Sequence, residues 1–331
     1  MNLQNRIDLM LQLCNYLKNN DNEWREIKTQ AGYHNPWFTE EFIDLAVKNI
    51  TNELLIKEKL EDWINFYHLD DLIQPKKIGI IMAGNIPLVG FHDFLSVFIS
   101  GHLQLIKLST KDTLLFKHLL SKLISWNEDV KNQVQIADKL NDCDAYIATG
   151  SSQSAAHFEA YFSKYPNIIR HNKTSIAILE GNEMEEELTL LADDIHNYFG
   201  LGCRNVTKIY VPTNYNFIPL IQSFNKYKNF KDHHKYQNNF DYQLSIMLLN
   251  NVKYMTNEST LLVEDKSIFS AISVVHYEYY DSLEVLKNNL LDETHIQCIV
   301  AKDSIPFGKS QTPSLFDYAD KIDTMQFLLS L

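Results

Sequence analysis

The sequence predicts an α/β protein: two α/β units with mostly parallel sheets, preceded by a helical segment. Three observations carry this. From Pro75 onward, short apolar runs alternate with amphipathic stretches, the pattern of parallel strands joined by crossover helices. Three of the apolar runs end in chemically suggestive turns, Gly84-Asn85, Lys107-Leu108-Ser109 and Thr149-Gly150-Ser151, and open parallel sheets collect ligands at the carboxyl ends of their strands. The alternation then restarts, with a boundary between residues 170 and 185.

Residues 1–72 read as helices, with Leu3, Ile7, Met10, Cys14 and Leu17 recurring at helical spacing. Pro75 ends this pattern. KKIGIIMAG (76–84) reads as a strand running into a glycine turn, and IPLVGFHDFLSVFISG as a mostly buried helix. LQLIKLS (103–109) is a second strand, and 112–126 a helix with Asp112 as its N-cap. DAYIATGS (144–151), a helix over QSAAHFEAYFSKY, and SIAILEG (175–181) follow. EEELTLLADDIHNYFG is an amphipathic helix, and VTKIYVP a strand. A helix near 214–226, the strands TLLVE, AISVVHYEYY and IQCIVAK, and the helix SLEVLKNNLL complete the second unit. The polar stretch 225–243 reads as a surface loop.

Composition excludes several function classes. The formal net charge is -12, which argues against nucleic acid as a partner because phosphate contacts need a basic face. A phosphorylated small molecule needs only a few local amides and lysines. No apolar run reaches the ~18–20 residues that span a bilayer, so no stable membrane insertion is expected. The N-terminus lacks the basic-then-apolar order of a signal peptide. The four cysteines are too sparse for a disulfide framework, and no CxxC pair suggests zinc. A reducing, cytoplasmic location is the expectation.

Cys14, Cys143 and Cys298 fall within apolar patterns or between acids, where a cysteine is usually a small core residue. Cys203 differs. It stands in GLGCRNVTKIYVP, where Gly200 and Gly202 permit a tight backbone, and Arg204 and Lys208 would favour a thiolate. Spacing alone leaves two readings open, a nucleophile or a cysteine packed at a turn. Lys107 is either a solvated lysine or a strand-end contact for a ribose hydroxyl or phosphate. The ATGSS turn is either a simple loop or a set of backbone N–H groups offered to a pyrophosphate. Neither GxGxxG nor GxxxxGK[ST] occurs. Asn85, in AGNIP, is a turn residue before Pro87 or an oxyanion donor. His92, His171 and His196 are candidate proton donors, each more often a surface or hydrogen-bonded core residue.

Taken in order, these pieces resemble the aldehyde dehydrogenase superfamily, and more closely its acyl-CoA reductase branch, related to the fatty-acyl reductase of bacterial bioluminescence. AGNIP resembles the Asn-bearing strand end, LIKLS the Lys-Pro-Ser strand end, and ATGSS the Thr-Gly-Ser turn. NKTSIAIL resembles the strand at the domain crossover, GLGCRNVTKIYVP the nucleophile turn, and IPFG the Pro-Phe-Gly near the C-terminus. No one of them is specific; the order and rough spacing over residues 75–331 are.

The resemblance implies an aldehyde-dehydrogenase-like fold. It divides the chain into a helical segment (1–74), a cofactor-binding domain (75–175, with a tail 304–331 packing back) and a catalytic domain (176–303). It implies NADPH or NADH as cofactor, with Lys107, Ser109, Thr149, Gly150 and Ser151 as binding residues, Cys203 as nucleophile and Asn85 as oxyanion donor. The substrate would be an acyl group on CoA or an acyl carrier. There are departures. Arg170 and His171 stand where the superfamily has its general-base Glu, which suits a thioester exchanged with a thiol rather than hydrolysed. SIF (267–269) replaces the ribose-binding Glu motif, with Glu264 nearby, and Leu108 replaces the Pro of Lys-Pro-Ser. The chain is shorter than most relatives, leaving less room for the usual oligomerisation segment; a homo-oligomer stays compatible with it. The implied activity is nicotinamide-dependent reduction of an acyl thioester to the aldehyde. The alternatives are a free-aldehyde dehydrogenase and a non-catalytic nucleotide- or acyl-CoA-binding descendant.

Overall fold

The structure is a computed structural model that describes residues 1–150 and 152–331. The chain divides into two compact units, Met1–Asn172 with Thr312–Leu331, and Lys173–Gln311.

In the first unit, helices α1 (Leu3–Asn19), α2 (Asn22–His34), α3 (Glu40–Asn49) and α4 (Lys57–Phe66) come first. They are followed by β1 (Lys77–Ile81), α5 (Phe91–Ser100), β2 (Leu103–Lys107), α6 (Leu114–Trp126) and α7 (Val130–Gln133). Then come β3 (Val134–Ile136), β4 (Ala145–Thr149), α8 (Ser152–Phe162) and β5 (Asn167–Arg170). The five strands are parallel, in the order β3-β2-β1-β4-β5. Continuous apolar runs form these strands because parallel strands are covered on both faces; Ile78, Ile80, Ile106 and Ile147 are all fully buried.

The N-terminal helices are part of this unit's core rather than a separate piece. Met10, Leu13, Trp24 and Trp63 share one apolar cluster with Phe94, Phe98 and the sheet. Nearly all of α5 is buried. Its serines remain satisfied because Ser96 and Ser100 donate back to His92 O at 2.9 Å and Val97 O at 3.0 Å. Its Asp93 is neutralised by Arg170 at the end of β5, whose Nη2 donates to Asp93 Oδ1 at 2.7 Å and to Thr324 Oγ1 at 2.9 Å. Thr324 opens the C-terminal helix Thr324–Leu329, so this buried pair ties that helix to the sheet.

The second unit holds β6 (Thr174–Ile178), α9 (Glu185–His196), β7 (Val206–Pro212), α10 (Phe217–Ser223) and α11 (His234–Leu249). It continues through β8 (Tyr254–Thr256), β9 (Leu261–Glu264), β10 (Val274–Tyr280), α12 (Leu283–Leu290) and β11 (Ile296–Val300). Its sheet runs β11-β6-β7-β10-β9-β8, parallel except for the edge strand β8.

Several elements differ from the sequence expectation. Residues 225–243 are not a loop: a 3-10 stretch (Phe224–Asp232) and α11 bury Tyr227, Phe230, Tyr236 and Phe240. The aromatics supply an apolar face that the polar average conceals. The strands β3 and β5, only three and four residues long, exist because β2 and β4 offer them free edges. Asp112 does not cap α6, whose first turn has no side-chain cap; it turns instead to the Leu88 amide.

Candidate active site

The carboxyl ends of β1, β2 and β4 lie side by side in the first unit. Ile81 is in register with both Lys107 and Ala148. That brings Asn85 (four residues beyond β1), Lys107 and Ser109 (at and just past the end of β2), and Thr149 and Gly150 (at and just past the end of β4) to one sheet edge. Strand order reverses between β1 and β4, and this is where an open α/β sheet leaves a crevice. Lys107 is exposed there, while Asn85, Ser109, Thr149 and Gly150 are half-buried. Ser151 lies outside the described residues.

Local packing shapes this edge. A Cβ on Gly84 would fall 2.5 Å from Ser109 Oγ, so glycine is what lets the β1 and β2 turns meet. Ser109 organises its own turn: its Oγ accepts from Lys111 N at 3.2 Å, and its carbonyl accepts from Thr113 Oγ1 at 2.9 Å. The Asn85 loop continues to Leu88, which sits at φ 55° and donates its N–H to Asp112 Oδ2 at 2.6 Å. Burial pushes the Asp112 carboxyl up to about 7, against the lowering effect of that hydrogen bond.

Cys203 belongs to the second unit, between α9 and β7. It is the one cysteine of the four that is not buried. Tyr198 and Phe199 both have φ 56°, and Gly200 has φ 75°, so three consecutive left-handed residues reverse the chain ahead of it. Gly202, expected to share that role, is not among the positive-φ glycines. Left-handed backbone at bulky residues is unfavourable and persists only where the surroundings enforce it. Here Tyr198 and Phe199 are buried, and Phe199 packs 4.5 Å (ring to ring) from Phe230.

The turn itself is held by Asn205, which is fully buried. Its Oδ1 accepts the Gly202 N–H at 2.7 Å, and its own N–H donates to Gly202 O at 3.0 Å. Its Nδ2 lies within 3.1, 3.2 and 2.8 Å of the carbonyls of Asp194, Ile195 and Asn197. On the other side, Ser175 Oγ donates to Cys203 O at 3.0 Å and lies 3.0 Å from Cys298 Sγ. Asn205 and Ser175 were not singled out by sequence reasoning. The Gly-Cys-x-Asn run (202–205) was the available signal for Asn205; Ser175 had none.

Lys208 does not serve Cys203 as the sequence suggested. It is fully buried, and its Nζ donates to Asp265 O at 2.6 Å and to Glu278 Oε2 at 2.5 Å. The other cysteines are inert core residues, their thiols raised first by burial. His196 is a core histidine: Nδ1 meets Ala192 O and Nε2 meets Thr260 Oγ1, each at 2.8 Å, and burial depresses it to about 4. His171 is exposed, 3.4 Å from Glu159, and His92 meets Leu315 O at 3.2 Å. The Pro-Phe-Gly turn stays with the second unit, because Asp194 accepts Gly308 N at 2.6 Å and Ser310 N at 2.9 Å. Glu264 ends β9 and is exposed.

Among the described residues there is no cluster of side chains suited to a metal ion and no helix long and apolar enough to cross a membrane. The donor set at the first sheet edge, an exposed ammonium, hydroxyls and a helix beginning just past Gly150, fits a polyanionic dinucleotide.

Comparison with known proteins places the chain in a family. The family described as acyl-CoA reductase (LuxC) matches residues 2–219. A long-chain acyl-protein thioester reductase of Aliivibrio fischeri is 24% identical over 254 residues, which cover 63% of this chain and 52% of that protein. The chain thus spans about half the length of that curated relative. Among solved structures, aldehyde dehydrogenase 21 from Physcomitrella patens aligns with TM-score 0.70 at 12% identity, covering 100% of this chain and 84% of its own. An aldehyde dehydrogenase from Bacillus cereus, solved with NAD+, aligns with TM-score 0.62 at 13% identity, covering 92% and 72%. The fold is that of the aldehyde dehydrogenases.

Proposed function

Given that the chain belongs to the acyl-CoA reductase (LuxC) family, we propose that it reduces an acyl thioester to the aldehyde through Cys203, with NADPH or NADH as the reductant. The observation that carries this reading is the setting of Cys203, the half-buried cysteine in a turn pinned by hydrogen bonds with Asn205 and Ser175, within the segment the family match covers.

The chain's own residues act as follows. The Cys203 thiolate adds to the acyl carbonyl, and the Cys203 backbone N–H and the Asn85 amide are the donors assigned to the oxyanion. The thiol of CoA or of an acyl carrier leaves, and the acyl group stays on Cys203 as a thioester. Arg170, paired with Asp93, is not a general base, which favours reduction of the acyl-enzyme over its hydrolysis. Lys107, Ser109, Thr149, Gly150 and Ser151 are the residues we assign to the dinucleotide. When bound, the nicotinamide supplies the hydride that carries the thioester to the aldehyde level. Release of aldehyde returns the thiolate.

The test follows nicotinamide absorbance with NADPH or NADH and acyl-CoA or acyl-carrier-protein donors of increasing chain length, beside Cys203→Ala. Donor-dependent oxidation that the variant abolishes is the expected result. Cofactor binding without turnover on any donor would instead identify a non-catalytic binding protein.

A further inference from the structure

We infer that Asn205 and Ser175 are positioning residues that preorganise Cys203 by fixing both peptide planes that flank it. This rests on the reading of Cys203 as nucleophile and assigns the residues that make it ready.

In a trans peptide the C=O and N–H of one unit point in opposite directions, and no described peptide is cis. The Gly202 carbonyl accepts the Asn205 N–H at 3.0 Å. The Cys203 N–H shares that plane and is therefore directed away from the Asn205 turn. The next plane, Cys203–Arg204, is held by Ser175 Oγ on the Cys203 carbonyl at 3.0 Å. Neither peptide can rotate without breaking its hydrogen bond, and an oxyanion donor is useful only if its direction is set before charge develops.

The side chain of Asn205 makes the arrangement specific to an amide. The carbonyls of Asp194, Ile195 and Asn197 can only accept, and the Gly202 N–H can only donate, so one group must present both an acceptor and an NH2. Asp would turn a carboxylate toward three carbonyls, and Leu would leave all four groups without this partner. Those carbonyls end α9, where a helix has unpaired acceptors to offer. The same turn of α9 carries the Asp194 carboxylate that holds Gly308 and Ser310. The nucleophile turn and the Pro306-Phe307-Gly308 turn are thus hung from one helix terminus.

The experiment compares the full chain with Asn205→Leu, Asn205→Asp and Ser175→Ala. It measures kcat and KM, the rate of Cys203 alkylation by iodoacetamide across pH, and hydrogen exchange of a peptide covering 198–206. The Asn205 variants should lower kcat by roughly ten- to a hundredfold, the scale of a small misplacement of a reacting group, with KM changed by less than about threefold. Ser175→Ala should lower kcat less, and all three should speed exchange in the turn and change the alkylation profile. A folded Asn205→Leu with parental kcat, alkylation and exchange overturns the inference. If the Asn205 variants do not fold, Ser175→Ala, which removes one oxygen, decides it by the same readouts. If Cys203→Ala keeps full turnover, the nucleophile reading fails by itself, and alkylation and exchange still test the pinning.

Discussion

Asp112 Oδ2 accepts the backbone N–H of Leu88 at 2.6 Å across 24 residues of sequence. This contact fastens the loop that bears Asn85 to the turn that follows β2. The carboxyl is buried, and its second oxygen, Oδ1, has no hydrogen-bond partner. Its folded value is raised from 3.8 to about 7 by burial. Between those values the native protein holds a proton that the unfolded chain has released. The resulting contribution to stability is fully present below the unfolded value and is lost as pH rises through about 7. Asp112→Asn removes the titration. Denaturant unfolding at pH 5 and pH 8 should show the parent losing about 2–3 kcal/mol more than the variant over that rise, the size expected for a shift of this order. Equal pH responses would mean that Asp112 ionises normally.

Cys203 is only half-buried, while Cys14, Cys143 and Cys298 are buried with raised thiol values. Brief treatment of the native protein with iodoacetamide at pH 8 should label Cys203 alone by peptide mass spectrometry, because thiolate fraction and access decide the rate. Labelling of Cys298 at a comparable rate would contradict the buried setting next to Ser175.

The buried pair of Asp93 and Arg170 should behave as a lock on the C-terminal helix. Asp93→Asn leaves the guanidinium without its counter-charge and should cost about 3–5 kcal/mol. The same change should expose residues 312–331 to limited proteolysis before the rest of the chain. Unfolding and cleavage unchanged from the parent would make the pair dispensable.

Lys208 and Glu278 offer a contrasting case, since Glu278 is about one-third exposed. Glu278→Gln leaves a buried ammonium without its counter-charge, though it keeps the Asp265 carbonyl and the face of the Tyr210 ring, and solvent at Glu278 moderates the loss to about 1–3 kcal/mol. Cys203 alkylation should not change, because Lys208 is committed to these partners. A shift in the alkylation profile would restore Lys208 as an influence on the thiol.

What the sequence determined by itself was whatever local periodicity encodes. Runs such as IGII and AYIA are apolar without alternation because parallel strands are covered on both faces, so β1 and β4 could be read directly. The turns at strand ends could be read as well, because Lys107 and Thr149 are the last residues of their strands and Asn85 lies four residues past its own. Tertiary structure alone decided which groups meet. Asp112 was a helix cap by its neighbours in the chain, but its partner is Leu88. Lys208 was near Cys203 by count, yet alternation along β7 turned it inward to Glu278. The 225–243 stretch looked polar on average, but its widely spaced aromatics found a core to cover. Asn205 showed nothing beyond its place after the cysteine, since its role depends on carbonyls at the end of α9 that only the folded chain brings within reach. Local sequence sets backbone preference and hydrophobic period; hydrogen-bond partners distant along the chain are chosen by packing, where a buried polar group must be satisfied by whatever the fold brings beside it.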